Sequence, residues 1–267
     1  MTKNELCSII SKLIQEVIPM NLRRGLSNNT LKLLAAAFML IDHIGVILVP
    51  SSLFLRSVGR LAFPIFAFLI SEGAKYTGNK LRYLLSVFSV AAVCQLVYAV
   101  VSNGDMYFNV FVTFTISILL IYLCDWVKTV LFNKESSAAL RIAATCSFIA
   151  ALLLTAIICH TVTVDYGFIG CIMPLLAYLP VFDAKRMPEL HKKYDKLIIR
   201  LCYFTLGVII LAVQTGTIQY YSLFSIPLLL MYNGQRGRLK LKYFFYLFYP
   251  AHLAILYGIG ILVTILK

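Results

Sequence analysis

Residues Ile41 to Gly73 read IDHIGVILVPSSLFLRSVGRLAFPIFAFLISEG. Two long apolar runs meet at a short turn around Pro50-Ser51-Ser52, and within them sit Asp42, His43, Arg56, Arg60 and Glu72. A charge at membrane depth costs at least roughly a few kcal/mol on insertion scales, so it normally has a partner or faces a wet cavity. Five ionisable groups so placed mark a candidate site, and the rest of the chain reads as the scaffold that holds this hairpin in a bilayer.

The composition agrees. The 267 residues are 61% hydrophobic and 13% charged, with mean hydropathy +0.87, where a soluble domain carries about 25% charged residues. Runs of about 20 apolar residues indicate spanning helices; barrel strands would instead alternate with a period of two. The expected fold is all-α, a polytopic helical membrane protein of about nine transmembrane helices. A net charge of +13 is accounted for by basic cytoplasmic loops rather than by nucleic acid. Seven scattered cysteines without a CxxC pair, and no His cluster at metal spacing, indicate neither a disulfide framework nor a metal site. Residues 1–25 form a separate segment. The first 20 residues lack the apolar core of a signal peptide, and Leu6, Ile9, Ile10, Leu13, Ile14 and Val17 predict an amphipathic helix on the membrane surface.

Apolar runs and turn residues place spans near 31–50, 53–74, 82–101, 107–124, 139–160, 166–182, 197–213, 218–232 and 243–264. Asn28-Asn29-Thr30 can cap the first, and Pro64 should kink the second. With the N-terminus inside, the loops at 75–82, 125–141, 183–200 and 233–242 are cytoplasmic. Of 24 Lys and Arg, all but Arg56, Arg60 and Lys267 then lie in those loops or in residues 1–32. That bias gives an inside N-terminus and an outside C-terminus in the cytoplasmic membrane.

This topology brings His43, Arg56, Arg60 and His252 toward one cavity in the outer half. Arg56 and Arg60, four apart, share a helix face; they suit an anion or a developing oxyanion, or snorkel to the headgroups. Asp42 and His43 point about 100° apart on a helix, so Asp42 can equally form a structural ion pair with an arginine of the second span. His43 reads as a general base or as a core histidine. Arg236, Arg238, Lys240 and Lys242 form a stop signal or a phosphate-binding rim. Tyr249-Pro250-Ala251-His252 puts a kink beside the second histidine. Asp105, Asn109 and Asp165 flank outer turns, which explains them, except that Asn109 and Thr113 could face the cavity.

The strings KLLAAAFMLIDHIG, LRSVGRLAFPIFAFLISEG, YNGQRG and KYFFYLFYPAHL resemble the TraX family over almost the whole chain from about residue 26. The resemblance implies a membrane acyltransferase domain over 26–267, kin to enzymes that carry an acyl group from cytosolic acyl-CoA to an acceptor outside by way of a membrane-embedded histidine. The member encoded with the F pilus acetylates the amino terminus of pilin. Carried over, His43 is the first catalytic candidate and His252 the second, with Arg56 and Arg60 as site residues and Asp42, Glu72, Asn109 and Tyr249 in support. Acetyl-CoA is the expected donor, without a metal, its phosphates near Lys75, Arg82, Arg236 and Lys240. The acceptor is an amine or hydroxyl of a peptide or glycan; its identity and the oligomeric state stay open. The rival reading is a transporter or binding protein, against which stands the lack of an evident internal repeat.

The charge bias yields a direct test. Single cysteines at Glu189 and Gly216, in a background without other cysteines, should label from opposite membrane faces. Labelling from one face overturns the topology.

Overall fold

A computed structural model of the chain describes residues 25–101, 107–237 and 241–265. The helices are α1 (Asn28–Ile47), α2 (Leu53–Gly59), α3 (Ala62–Tyr76), α4 (Lys80–Val101), α5 (Val110–Phe132), α6 (Ala138–Thr161), α7 (Gly167–Tyr178), α8 (Pro188–Tyr194), α9 (Leu197–Thr215), a 3-10 helix (Thr217–Phe224), α10 (Ser225–Leu230) and α11 (Lys242–Ile265). Strands β1 (Tyr107–Phe108) and β2 (Thr163–Val164) pair in parallel. Six segments are long and apolar enough to cross a membrane: α1, α2 with α3, α4, α5, α6 and α9. Three shorter apolar stretches, Gly167–Tyr178, Thr217–Leu230 and Leu247–Val263, stand where the other expected spans fall. The chain is an all-α membrane protein. The surface helix expected within residues 1–25 lies, Gly25 apart, outside the described residues, as does the turn Ser102–Asp105.

Side-chain placement follows from that solvent. Ile142, Ile149, Leu153, Leu154 and Ile157 of α6 all point outward. A continuous apolar stripe of this kind is suited to lipid and would be a liability in water. The interior is built around α3, where Ile65, Phe68 and Leu69 pack with Leu31 of α1, Ile118 of α5, Met173 of α7 and Phe204 of α9. The Phe68 and Phe204 rings meet edge to face at 5.6 Å.

Two local departures from the sequence reading have clear causes. Ser27, rather than Asn28 to Thr30, caps α1, its hydroxyl accepting from the Thr30 N–H at 3.2 Å. The second span is interrupted rather than bent. A proline ring clashes with the carbonyl four residues earlier, and for Pro64 that residue is Arg60. Around it the ladder tightens, with Arg60 N–H reaching the Ser57 carbonyl and Leu61 N–H the Val58 carbonyl, both at 3.3 Å. α2 ends at Gly59 and α3 begins at Ala62.

The turns sort to two ends of the bundle. One end carries residues 48–52, both strands and Gly216. The other carries the basic connections, where Lys75 pairs with Asp195 at 2.8 Å and Lys80 with Asp125 at 2.5 Å. There Lys128 Nζ donates to the carbonyls of Tyr178 and Val181, closing the end of α7.

Arg200 differs from its sequence reading as a loop charge. It lies in the first turn of α9, 3% exposed, with its guanidinium on Glu72, itself 1% exposed. Its Nη2 also donates to Ser71 Oγ and its Nε to the Ala177 carbonyl. The Arg200–Glu72 pair is therefore the tie between α3, α7 and α9. Breaking one side of a buried pair typically costs about 3–5 kcal/mol, whereas replacing both members with apolar residues is often neutral. Arg200→Leu should accordingly lower the thermal unfolding midpoint in detergent strongly, and adding Glu72→Leu should recover much of the loss. A single variant as stable as wild type overturns this role.

Candidate active site

At the end opposite the basic loops lies a cavity of about 330 Å³, near the lower limit of the roughly 300–1,000 Å³ typical of small-molecule sites. Its polar lining includes Asp42, His43, Arg56, Arg60, Tyr107, Asn109, Asp165, Tyr166 and Tyr249. α1 and the interrupted α2–α3 span supply the charges, the β1 and β2 turns supply Tyr107, Asp165 and Tyr166, and α11 closes one wall.

Of the alternatives for Asp42, the ion pair is the one formed, and with both arginines. Arg56 Nη1 donates to Asp42 Oδ2 at 3.0 Å and Arg60 Nη2 to the same oxygen at 2.5 Å. Two cations on one carboxylate leave positive charge over. They also leave two buried atoms without a hydrogen-bond partner, Asp42 Oδ1 and Arg60 Nε. Such atoms are uncommon in folded chains and call for an explanation. Here they suit an oxygen acceptor at Arg60 and a donor at Asp42, supplied by a ligand.

His43 is held from behind. Its Nδ1 lies 2.8 Å from the Met39 carbonyl. A carbonyl only accepts, so Nδ1 carries the proton and Nε2 the lone pair. His252 Nδ1 lies 2.9 Å from the Phe248 carbonyl, which fixes the same tautomer and turns its own Nε2 lone pair toward His43 Nδ1 at 3.4 Å. The rings cross nearly perpendicular with centroids 5.0 Å apart. His252, 5% exposed, backs His43 and is absent from the cavity lining. Tyr249 packs against both rings and against Phe111. Asn109 reaches the cavity, but its amide is occupied. Oδ1 accepts from Phe111 N–H as the α5 cap, and Nδ2 donates to the Ala91 carbonyl and Gln95 Oε1.

The expected cofactor residues gather at the other end. Lys75 is committed to Asp195, Arg82 and Arg236 are exposed, Lys240 lies outside the described residues, and none of the three described ones lines the cavity. The length of α3 separates Arg60 from Lys75, about 22 Å at 1.5 Å per residue. Glu72 does not line the cavity either. Among the described residues no group of three or more His, Cys, Asp or Glu is placed to hold a metal ion.

Sequence reasoning missed Tyr107, Asp165 and Tyr166. The latter two form an Asp-Tyr-Gly turn, which punctuation alone explained. A sequence signal for them would have required knowing that β1 and β2 pair. Tyr166 adopts φ 60°, the left-handed region, uncommon for a bulky residue. Its ring stacks on Phe63 at 3.6 Å.

The TraX protein family model matches residues 27–260, which include every lining residue of the cavity. The chain belongs to the TraX family. It is 26% identical over 244 residues to a probable fimbrial assembly protein FimC, serogroup H1, of Dichelobacter nodosus, covering 85% of this chain and 92% of the relative. No solved structure matches it significantly.

Gly59 sets the approach of α2 to α1. A Cβ there would overlap the Cβ and Oδ1 of Asp42. Gly59→Ala should therefore force Asp42 off the arginines and lower stability by about 1–3 kcal/mol, as overpacking does. An unchanged unfolding midpoint in detergent would show that the contact is not there.

Proposed function

We propose that the protein is a membrane acetyltransferase, moving an acetyl group from acetyl-CoA to an amine or hydroxyl acceptor such as a peptide amino terminus. The observation that carries this reading is the state of His43. Its Nδ1 is engaged by Met39 and His252, so Nε2 is the nitrogen available to take a proton, in a cavity where Arg60 Nε has no partner. A base beside an oxyanion donor is what acyl transfer needs. Family membership supports the same chemistry, and the relative's name links the family to fimbrial assembly.

In this proposal His43 deprotonates the acceptor and Arg60 steadies the tetrahedral oxyanion, a kind of donor typically worth about 2.7–4 kcal/mol. Arg56 holds Asp42 so that Arg60 stays aimed. His252 positions His43. The cavity suits the thioester end and the acceptor's reacting group, so the nucleotide end of acetyl-CoA lies outside it. Arg82 and Arg236, both exposed, would meet its phosphates, with Lys240, four residues after Arg236 in sequence, as a further candidate; Lys75 joins them only by releasing Asp195. The protein sits in the cytoplasmic membrane with nine spans, the N-terminus inside and the cavity opening outward.

Detergent-purified wild type should turn over acetyl-CoA and release CoA, which a transporter has no reason to do. His43→Ala should reduce transfer by at least about 100-fold, the lower range for a positioned base, while still folding and binding acetyl-CoA. His252→Ala should cost less. Near-wild-type transfer by His43→Ala overturns the mechanism.

A further inference from the structure

Asp165 is fixed in place more firmly than a turn residue needs to be. Its N–H donates to the Phe108 carbonyl at 2.9 Å, and its carbonyl accepts from Thr113 Oγ1 at 2.8 Å. The next residue, Tyr166, is held in a left-handed conformation. Such strain costs on the order of 1–3 kcal/mol, and it clusters at functional sites. Its result here is a carboxylate on the cavity wall, with the Tyr107 hydroxyl and the Tyr166 N–H donating to it. Arg60 and Asp42 bear on it electrostatically, His43 and Tyr249 share the same cavity, and Arg56 stands behind Asp42. The mechanism above gives Asp165 no part.

Aminolysis of a thioester has a proton count that His43 alone does not meet. An α-amino group titrates near 7.7–8.0, so at neutral pH much of it arrives as ammonium. One proton must leave before attack and a second from the tetrahedral adduct. An alcohol has only one to lose.

We propose that Asp165, oriented by Tyr107, binds the ammonium group of an amine acceptor and takes its first proton, leaving the second to His43; this rests on the acetyltransferase reading. Asp165 carboxylate becomes the acid as ammonium becomes amine. The amine nitrogen forms the C–N bond at the thioester carbonyl, and His43 Nε2 takes the proton from the adduct. As the C–S bond breaks, His43 returns that proton to the departing sulfur. Asp165 then loses its proton to solvent, so acetyl-S-CoA and ammonium give amide, CoA thiol and one proton. Burial pushes the Asp165 carboxyl up to about 6, against the opposing pull of Tyr107 and Arg60. A carboxylate there is still ionised at neutral pH and is a better base than a solvated one.

The test uses purified full-length protein, acetyl-CoA and two probes: a short peptide with a free α-amine, and the same peptide with a hydroxyl in its place. Asp165→Asn should lose amine transfer at least tenfold and lose hydroxyl transfer by less. With Asn the ammonium must shed its proton in solution, so the rising limb of the pH profile should move up toward the amine's own range near 8. Asp165→Glu should restore part of the rate, and Tyr107→Phe should weaken amine KM more than kcat. Equal losses on both probes with an unmoved profile would make Asp165 a mere counter-charge to Arg60 and overturn the inference while leaving acyl transfer standing. Wild type that acetylates neither probe and releases no CoA overturns the transfer reading itself, and this inference with it.

Discussion

The structure depends on where a charge can exist inside an apolar bundle. Asp42 and Arg56 and Arg60 lie on helices whose other faces meet hydrocarbon, and none of them could remain ionised alone there at tolerable cost. They meet because Gly59 lets α2 lie against α1 at Asp42 and because the ladder tightens to three-residue bonds at Arg60, four residues before Pro64. The pairing is uneven: one carboxylate oxygen takes both guanidinium contacts, leaving Asp42 Oδ1 and Arg60 Nε unmatched. Glu72 and Arg200 solve the same problem differently, with every contact of the guanidinium made by protein atoms. The buried Glu72–Arg200 pair and the half-buried Asp42–Arg56–Arg60 cluster thus divide by satisfaction. The complete one ties helices together, and the incomplete one lines a cavity.

The far wall of that cavity comes from chain segments with little secondary structure. β1 and β2 contribute two residues each, yet their pairing draws the start of α5 to the start of α7. Non-helical backbone in a membrane protein is tolerated where protein buries it or where it lines a wet cavity, and both apply here. The left-handed turn at Tyr166 is compensated by stacking on Phe63, a residue of the same α3 that carries the Pro64 interruption. That aromatic contact thus joins the turn before α7 to the first turn of α3.

How much of this was legible in the sequence follows from the range of each signal. Apolar periodicity is local, so the helical class and most span positions could be read directly, and Arg56, Arg60, Asp42 and His43 stood out as charges in apolar runs. The termini of spans were less legible, because a serine one residue upstream can cap as well as an asparagine. The partner of Asp42 was one of two open alternatives, since side-chain direction on two facing helices is a tertiary fact. Arg200 was read as a loop charge because it adjoins a basic run; only the packing of α3 on α9 reveals Glu72 beside it. Asp165 carried no signal at all, because an aspartate before a glycine is the ordinary chemistry of a turn. At the basic end the sequence could not tell Lys75, paired with Asp195, from Arg82 and Arg236, which are exposed.

The second histidine completes the electrostatic account. In the proposed mechanism His43 is the base; such a group is commonly oriented by a carboxylate behind it, and Asp42 is adjacent in sequence to His43. Adjacent helical residues diverge by about 100°, and Asp42 is already taken by two arginines, so it cannot serve. A further buried carboxylate would add a charge needing its own partner, at a cost of several kcal/mol if left unpaired. His252 avoids that cost. Held by Phe248 in the tautomer that offers a lone pair, it accepts from His43 Nδ1 without bringing a charge into the apolar region. The Met39 carbonyl provides the shorter contact and sets the ring's tautomer; His252 adds direction and covers one face of the ring. Two neutral acceptors, one from α1 and one from α11, thus orient the His43 ring without adding a charge.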